Sequence, residues 1–449
     1  MFALAADMKA LEASGRYIRV GLIGAGQMGT DIVSQVSLMP SQRILIAADI
    51  DLNRAVNCYA IAGHTNGQVA VAETLDDVNR AWLHDRRVAT ADYRLVTDAS
   101  LDAVIECTGN PEVSARASLR TIYQRKHLVT MSVEMDITVG PLLKWYADQH
   151  GVIYAIGAGD EPSALYELYD FATALGLTIV AVGKGKNNPL NREAVPEDLA
   201  DEAARRGLTP EMLIEFVDGS KTEIEMACVA NATGLVPDVF GMHGPQVDIA
   251  DLKNTFDLKQ NGGILNQYGV VDYVIGDLKP GVFLVFTTDK QRLREALVLR
   301  DMGRGPNYVL LRPFHLCSME VPLSVALAVL QGKSTMAPLN HLVAEVVAVA
   351  KTDLRPGQEL ERIGGHTHYC MVDRYEHAAA MRALPVGISK GAIVTRPVQK
   401  GQVITYDDVR LPAHSAIIAL RRLQDQWMAG EIAPASLLQQ LNQLAVHST

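Results

Sequence analysis

Apolar and polar positions divide this chain into stretches with different periods. Tyr17 to Ile23 alternates and then runs apolar, the pattern of a parallel strand buried on both faces. Thr30 to Leu38 follows with Ile32, Val33 and Val36 at helical spacing. Ile44 to Asp49 is a second apolar run ending in an acid, and Thr74 to Trp82 has helical periodicity. Further short strands are predicted at Ala103 to Gly109, His127 to Met131 and Val152 to Ile156, with a short helix over 1–15. Strand and helix alternate over 16–158, which predicts a doubly wound parallel sheet.

The pattern then changes. Leu177 to Val182 reads as a strand delivering a polar loop, Gly183 to Asn191, and a helix enters at Asp218 and runs through Asn231. Residues 239–264 are rich in Gly, Asp and Asn and predict an irregular connection. Strands follow at Val270 to Ile275 and Val282 to Thr287 around the turn signal Pro280-Gly281, then at Tyr308 to Leu311, before a helix continuing to Leu330. Val343 to Ala350 reads as another strand. Asp353 to Glu361 and Pro397 to Thr405 resemble each other, each with a turn glycine before an alternating strand. The tail carries Ile417, Leu420, Leu423 and Trp427 on one helical face, fit to dock on the body or on a second subunit. The fold class expected is α/β: an N-terminal Rossmann doubly wound parallel sheet (1–158), a central α+β catalytic and dimerisation domain (159–340), a small β-rich domain (341–412) and a helical tail (413–449).

Chemistry enters at the first strand. Gly24, Gly26 and Gly29 have G-x-G-x-x-G spacing between strand and helix, enclosing Gln27 and Met28. The first glycine permits a tight turn, the second lets a diphosphate approach the backbone, and the third lets helix and strand pack closely. The helix N-terminus offers N–H groups and partial positive charge to the phosphates. Asp49, twenty residues past Gly29, stands where a ribose-binding carboxylate is expected. It favours the 2′-hydroxyl of NAD and repels the 2′-phosphate of NADP, which Asn53 and Arg54 would offset. Thr108 and Gly109 close a strand at its carboxyl end, where a cofactor binds. Glu134 and Asp136 follow another strand and are candidates near the nicotinamide, or else an N-cap pair. Asp160 and Glu161 lie where the chain leaves this region, as helix caps or as substrate-binding residues.

Beyond it, Lys184, Lys186, Asn187 and Asn188 form a cationic loop suited to phosphate or carboxylate recognition, with a lysine able to shift its pKa for proton transfer. Lys221 and Glu225 share a helix face, and the apolar residues around them point to burial with Asn231. Arg312 and His315 are candidates for anion binding and acid–base work. At each of these positions the alternative is structural: a solvated turn, a surface ion pair or a packed histidine.

The chain has 449 residues and a net charge of −10, which argues against a polyanionic partner such as DNA while leaving room for a small phosphorylated substrate. Five cysteines are scattered without C-x-x-C spacing, so reduced thiols in a cytoplasmic protein are expected rather than a disulfide or zinc framework. Asp7, Lys9 and Glu12 interrupt the N-terminus, and no apolar run reaches membrane-spanning length, so neither a secretory signal nor a membrane anchor is expected.

The first region, with Gly21 to Gly29 and Val104 to Gly109, resembles homoserine dehydrogenases. Leu384 to Ser389 through Lys400 to Val409 resembles the SAF-domain module. The order resembles the 1-deoxy-D-xylulose 5-phosphate reductoisomerase-like proteins over about 16–412, with Gly183 to Lys186, Asp218 to Lys221, Asn231 to Gly234 and Pro313 to His315 included. One departure counts against homoserine oxidation: Ser132-Val133-Glu134 stands where homoserine dehydrogenases carry an Asn-Lys pair with a catalytic lysine. The resemblance implies an NADPH-dependent reductoisomerase giving 2-C-methyl-D-erythritol 4-phosphate for isoprenoid precursor synthesis, in a homodimer. Lys184, Lys186, Asn187, Asn188, Arg312 and His315 would surround the substrate, and Glu134, Lys221 and Glu225 would serve as acid or base. A divalent Mg or Mn ion is left open, since no clear ligand cluster is legible. The alternatives are a dehydrogenase of the same architecture acting on another hydroxy acid or sugar derivative, and a nucleotide-binding sensor without turnover.

Overall fold

Seven parallel strands form the first sheet: β1 (Ile18–Ile23), β2 (Gln42–Ala48), β3 (Val69–Val71), β4 (Arg87–Thr90), β5 (Ala103–Glu106), β6 (His127–Thr130) and β7 (Tyr154–Ile156). Their order is β3-β4-β2-β1-β5-β6-β7, so the chain reverses direction across the sheet beside β1. Such a switch point opens a crevice at the carboxyl ends of the strands. This computed structural model describes residues 3–186 and 188–447, without the side chains of Asn66 and His447. Val20, Leu22 and Ile105 pack on one face of the sheet with Ile32 and Val33, and Ile23, Ile46 and Val104 pack on the other with Val78 and Val96. Burial on both faces is why these strands read as apolar runs.

Two compact units divide the chain, Met1–Ser163 with Leu316–Asn340 and Ser415–Thr449, and Ala164–His315 with His341–His414. In the first unit the tail forms helices Ala416–Met428 and Pro434–His447, packed on helices Pro111–Tyr123 and Val133–His150. Glu112 caps the first of these, accepting from Ala416 N at 2.8 Å, Ile417 N at 3.1 Å and the Ser415 hydroxyl at 2.7 Å.

The second unit holds a mixed sheet of β8 (Thr178–Lys186), β9 (Val236–Pro237), β10 (Val270–Ile275), β11 (Val282–Thr287) and β12 (Asn307–Arg312), in the order β12-β11-β8-β10-β9. β8 is parallel to β10 and antiparallel to β11. It runs through Lys186, so the loop expected from Gly183 is strand up to that residue. The reason is its central place: Gly183 and Gly185 alternate with the lysines, and a Cβ on Gly183 would meet Asp272 O at 2.3 Å. Leu252, Phe256 and Leu265 cover one face of the sheet with Val270, Phe283 and Val285. Helix Ser220–Thr233 packs against β8 and β10 and against the antiparallel pair β13 (Ala344–Ala350) and β14 (His368–Arg374). It is buried nearly all round, which explains its apolar composition.

The two similar segments meet as a pseudo-twofold pair. Leu354 and Val398, equivalent positions, exchange backbone bonds of 2.8 and 3.1 Å. Gly357 N bonds Val394 O, and its equivalent Gly401 N bonds Ala350 O, both at 2.8 Å.

Candidate active site

The first unit carries the glycine-rich turn. Gly24 sits at φ +98°, where an L side chain is strained, and a Cβ there would lie 2.7 Å from the Cys107 carbonyl. A Cβ on Gly29 would fall 2.0 Å from Gly24 O, so the loop and helix Gln27–Val36 approach closely. Over Gly26, by contrast, no atom lies within 4 Å of a built Cβ. Gly26 is the N-cap of this helix, and no side chain caps it. Open space above a glycine, at an uncapped helix N-terminus with Gln27 and Met28 exposed, fits a diphosphate.

Asp49 follows β2, and its carboxylate accepts from Ala25 N at 2.8 Å and Asp51 N at 3.0 Å. The loop and the acid are thus one hydrogen-bonded piece. Arg54 is exposed and lies 3.7 Å from Asp51. Thr108 gives both its N–H (2.8 Å) and its hydroxyl (2.6 Å) to Glu106, with Ser114 Oγ 3.2 Å away. Its side chain is therefore committed, and Gly109 is exposed beside it. Glu106 itself was not singled out from the sequence. It is fully buried, accepts also from the Thr130 hydroxyl at 3.1 Å, and its carboxyl is pushed up by burial. The available signal was a lone acid at the end of an apolar strand. Glu134 is half-buried in the first turn of helix Val133–His150, where its carbonyl accepts from the Thr138 hydroxyl. Asp136 is buried and receives the Tyr154 hydroxyl at 2.7 Å, and Asp160 is buried where helix Glu161–Ala174 begins.

The second unit carries the two lysines of β8. Lys184 on β8 forms a buried ion pair with Glu225 of helix Ser220–Thr233. Two residues on along the strand, Lys186 gives its ammonium to Asn188 O at 2.8 Å and Phe216 O at 2.6 Å. Burial lowers the pKa of Lys186 to about 8, and the neighbouring Lys184 charge adds to the shift. The pairing of Glu225 is thus with Lys184, while Lys221, on the same helix, is half-buried. Asn187 lies outside the described residues. Asn231 serves the framework, its side-chain oxygen accepting from Val343 N at 2.8 Å and Ala344 N at 2.9 Å at the start of β13. Arg312 pairs with Glu167 at 3.4 Å and lies 5.1 Å from the Phe314 ring centroid, and His315 is half-buried.

One more residue of this unit escaped the sequence reading. Glu223 is buried, accepts from Val372 N at 3.0 Å and lies 3.8 Å from Arg192. Burial raises its carboxyl to about 8. Its sequence signal was only a second acid on the Lys221–Glu225 helix, and its partner on β14 is far along the chain.

Residues 159–321, about a third of the chain, match the family model of the oxidoreductase DRL catalytic domain. No curated protein matches the sequence. Among solved structures, the WlbA dehydrogenase from Bordetella pertussis, in complex with NADH and UDP-GlcNAcA, aligns at 14% identity over 45% of this chain and 58% of its own, with a TM-score of 0.29. A DOX-P reductoisomerase in complex with magnesium aligns at 12% identity over 70% and 69%, TM-score 0.39. UDP-N-acetylglucosamine 3-dehydrogenase GnnA from Acidithiobacillus ferrooxidans aligns at 10% over 72% and 91%, TM-score 0.37. The chain thus spans under two thirds of WlbA, and scores this low say nothing about a substrate. Among the described residues no helix is long and apolar enough to cross a membrane.

Proposed function

We propose that this chain is an NAD(P)H-dependent oxidoreductase acting on a phosphorylated ketose, as a reductoisomerase converting 1-deoxy-D-xylulose 5-phosphate to 2-C-methyl-D-erythritol 4-phosphate. The observation that carries the reading is the buried Lys184–Glu225 pair with Lys186 beside it on β8, inside the segment matched by an oxidoreductase catalytic domain. The dinucleotide would be held by the loop Gly24 to Gly29, with Asp49 receiving the adenosine ribose. When bound, the reduced nicotinamide supplies hydride to a carbonyl carbon. The protein's part is then to bind the phosphate, polarise that carbonyl and deliver a proton to its oxygen. The charge of Lys184, fixed by Glu225, suits polarisation. Lys186, with a pKa near 8, suits proton exchange at neutral pH.

Asp49 supports NADH as the cofactor, because a carboxylate there accepts a ribose 2′-hydroxyl and repels a 2′-phosphate. The sequence resemblance supports NADPH, so titration with both dinucleotides decides between them. The function is tested by incubating the purified chain with 1-deoxy-D-xylulose 5-phosphate and each dinucleotide, with magnesium or manganese. Cofactor oxidation coupled to product formation is expected, and its absence in every combination overturns the reading.

A further inference from the structure

Lys186 is 3% exposed, and its ammonium is held by the two ends of one excursion of the chain. Asn188 O at the start and Phe216 O near the close both accept from it, and Asn191 N donates to Val217 O at 2.9 Å across the same neck. The position of the excursion, 188–217, therefore governs how that ammonium is presented. Its outer part is thinly packed. Over 191–206 only Ala194 and Ala203 are buried, and the turn Pro196–Leu199 has no buried residue. Segments with so little buried apolar surface open locally at small cost.

Polar contacts hold the excursion down, most of them on the loop 361–366 that precedes β14. The His366 ring stands between two carboxylates, with Nε2 2.9 Å from Glu197 of the turn and Nδ1 3.2 Å from Glu361. Arg362 pairs with Glu215 at 3.2 Å. Gly364 sits at φ +80°, and a Cβ there would lie 2.2 Å from Glu211 O, so the loop fits closely against helix Pro210–Val217. Lys351 donates to Ala194 O at 3.0 Å, and Lys400 pairs with Glu193 at 2.6 Å.

Among these side chains, histidine is the one whose charge ordinarily changes between pH 5 and 8. Glu197 and Glu361 are the charged groups facing its ring, and Lys351 reaches the adjoining Gly365 O at 3.0 Å. Protonated, the ring donates from both nitrogens, one to each carboxylate. Neutral, it keeps one N–H and turns a lone pair toward a carboxylate oxygen. The bond to Glu197, and then Glu361, raises the pKa of His366 above 6.5. The held arrangement thus has its full advantage below about pH 6.5 and loses it as pH rises through the raised value.

We propose that His366 is a pH-sensitive latch: as an imidazolium between Glu197 and Glu361 it holds the excursion 188–217 against the loop 361–366, and as a neutral imidazole it releases it. Regulation of the Lys186 site by this latch rests on the oxidoreductase reading above; the latch itself does not.

The test follows amide hydrogen exchange of the full chain without cofactor or substrate from about pH 6 to about pH 8.5, each rate referred to that of the unstructured peptide at the same pH. Protection over 192–206 is expected to fall about two- to tenfold as pH rises, the size of two exposed ion pairs, while peptides of β1 stay level. His366→Gln keeps a donor and an acceptor without titrating, so its profile is expected to be flat. Glu197→Gln is expected to move the fall to lower pH and to lower the His366 midpoint read by NMR of its ring protons. A flat wild-type profile, a fall that persists in His366→Gln, or a His366 midpoint that Glu197→Gln leaves unchanged overturns the latch. The expected exchange without turnover of 1-deoxy-D-xylulose 5-phosphate would sink the reductoisomerase reading alone. Turnover with a flat exchange profile would sink the latch alone.

Discussion

Gln424 offers the sharpest test of the forces holding the first unit together. Helix Val133–His150 contains Pro141, whose ring has no N–H for the Ile137 carbonyl and crowds the preceding turn. In an unbroken helix Leu142 N would bond the Thr138 carbonyl, four residues back. Here the carboxamide of Gln424, fully buried on helix Ala416–Met428, stands in for that bond. Its nitrogen donates to Thr138 O at 2.9 Å and its oxygen accepts from Leu142 N at 3.1 Å. Only this orientation of the amide satisfies both groups. Gln424→Leu would keep most of the volume and leave one buried donor and one buried acceptor unpaired. At about 1–3 kcal/mol each, the loss should be about 2–6 kcal/mol. Pro141→Ala restores the missing N–H and lets the helix close its own ladder, so in that background Gln424→Leu should cost about 1 kcal/mol or less. Urea unfolding of the four proteins measures the cycle. The Trp145–Trp427 pair, with ring centroids 5.6 Å apart across the same two helices, gives a local optical signal. An equal cost of Gln424→Leu in both backgrounds would refute the reasoning, because it would mean the amide contributes only packing.

Three further outcomes follow from other groups. Lys351, buried, donates to Asp218 at 3.1 Å, Ala194 O at 3.0 Å and Gly365 O at 3.0 Å, so Lys351→Met should destabilise the second unit by about 3–5 kcal/mol. Adding Asp218→Leu should recover part of that in the urea midpoint. His368 is held neutral: the Ser389 hydroxyl donates to Val386 O at 2.8 Å and so accepts from His368 Nε2–H at 3.0 Å, leaving Nδ1 to accept from Thr367. Burial, with the Lys351 charge, lowers its pKa from 6.5 to about 4, so the unfolded chain takes up a proton first and stability is lost as pH falls from 6.5 toward 4. The loss should reach about 3 kcal/mol, and His368→Gln should flatten that part of the stability–pH curve. Asp49→Ser should weaken NADH binding by about tenfold and NADPH binding less, measured by fluorescence titration. An unchanged NADH affinity would remove Asp49 from the ribose site.

How far the sequence discloses this molecule depends on whether the controlling partner is near in the chain. The strand–glycine–helix unit at 18–36 is local: a Cβ on Gly29 would meet Gly24 O, so spacing alone foretells that approach. The pairing of Leu354 with Val398 was half legible, because similarity of two segments shows equivalence and leaves their contact to the fold. Lys184 and Lys186 were legible as cations and misread as loop. Their alternation with Gly183 and Gly185 is a period-2 pattern, and a central strand flanked by β10 and β11 uses it to put both lysines on one face. Asn231, a polar residue on an apolar helix, ties down the start of β13 through its side-chain oxygen, a partner more than a hundred residues away that the sequence does not disclose. Glu223, Arg192 and Gln424 gave no usable signal. Each takes its meaning from a distant partner, Val372 for Glu223, Tyr369 for Arg192 and the broken turn at Pro141 for Gln424. A residue is readable from the chain when its function lies in its own backbone's shape. It becomes unreadable when its role is to complete a group that another segment leaves unsatisfied, which is why the glycine turn after β1 was foreseen and the Gln424 bridge to helix Val133–His150 was not.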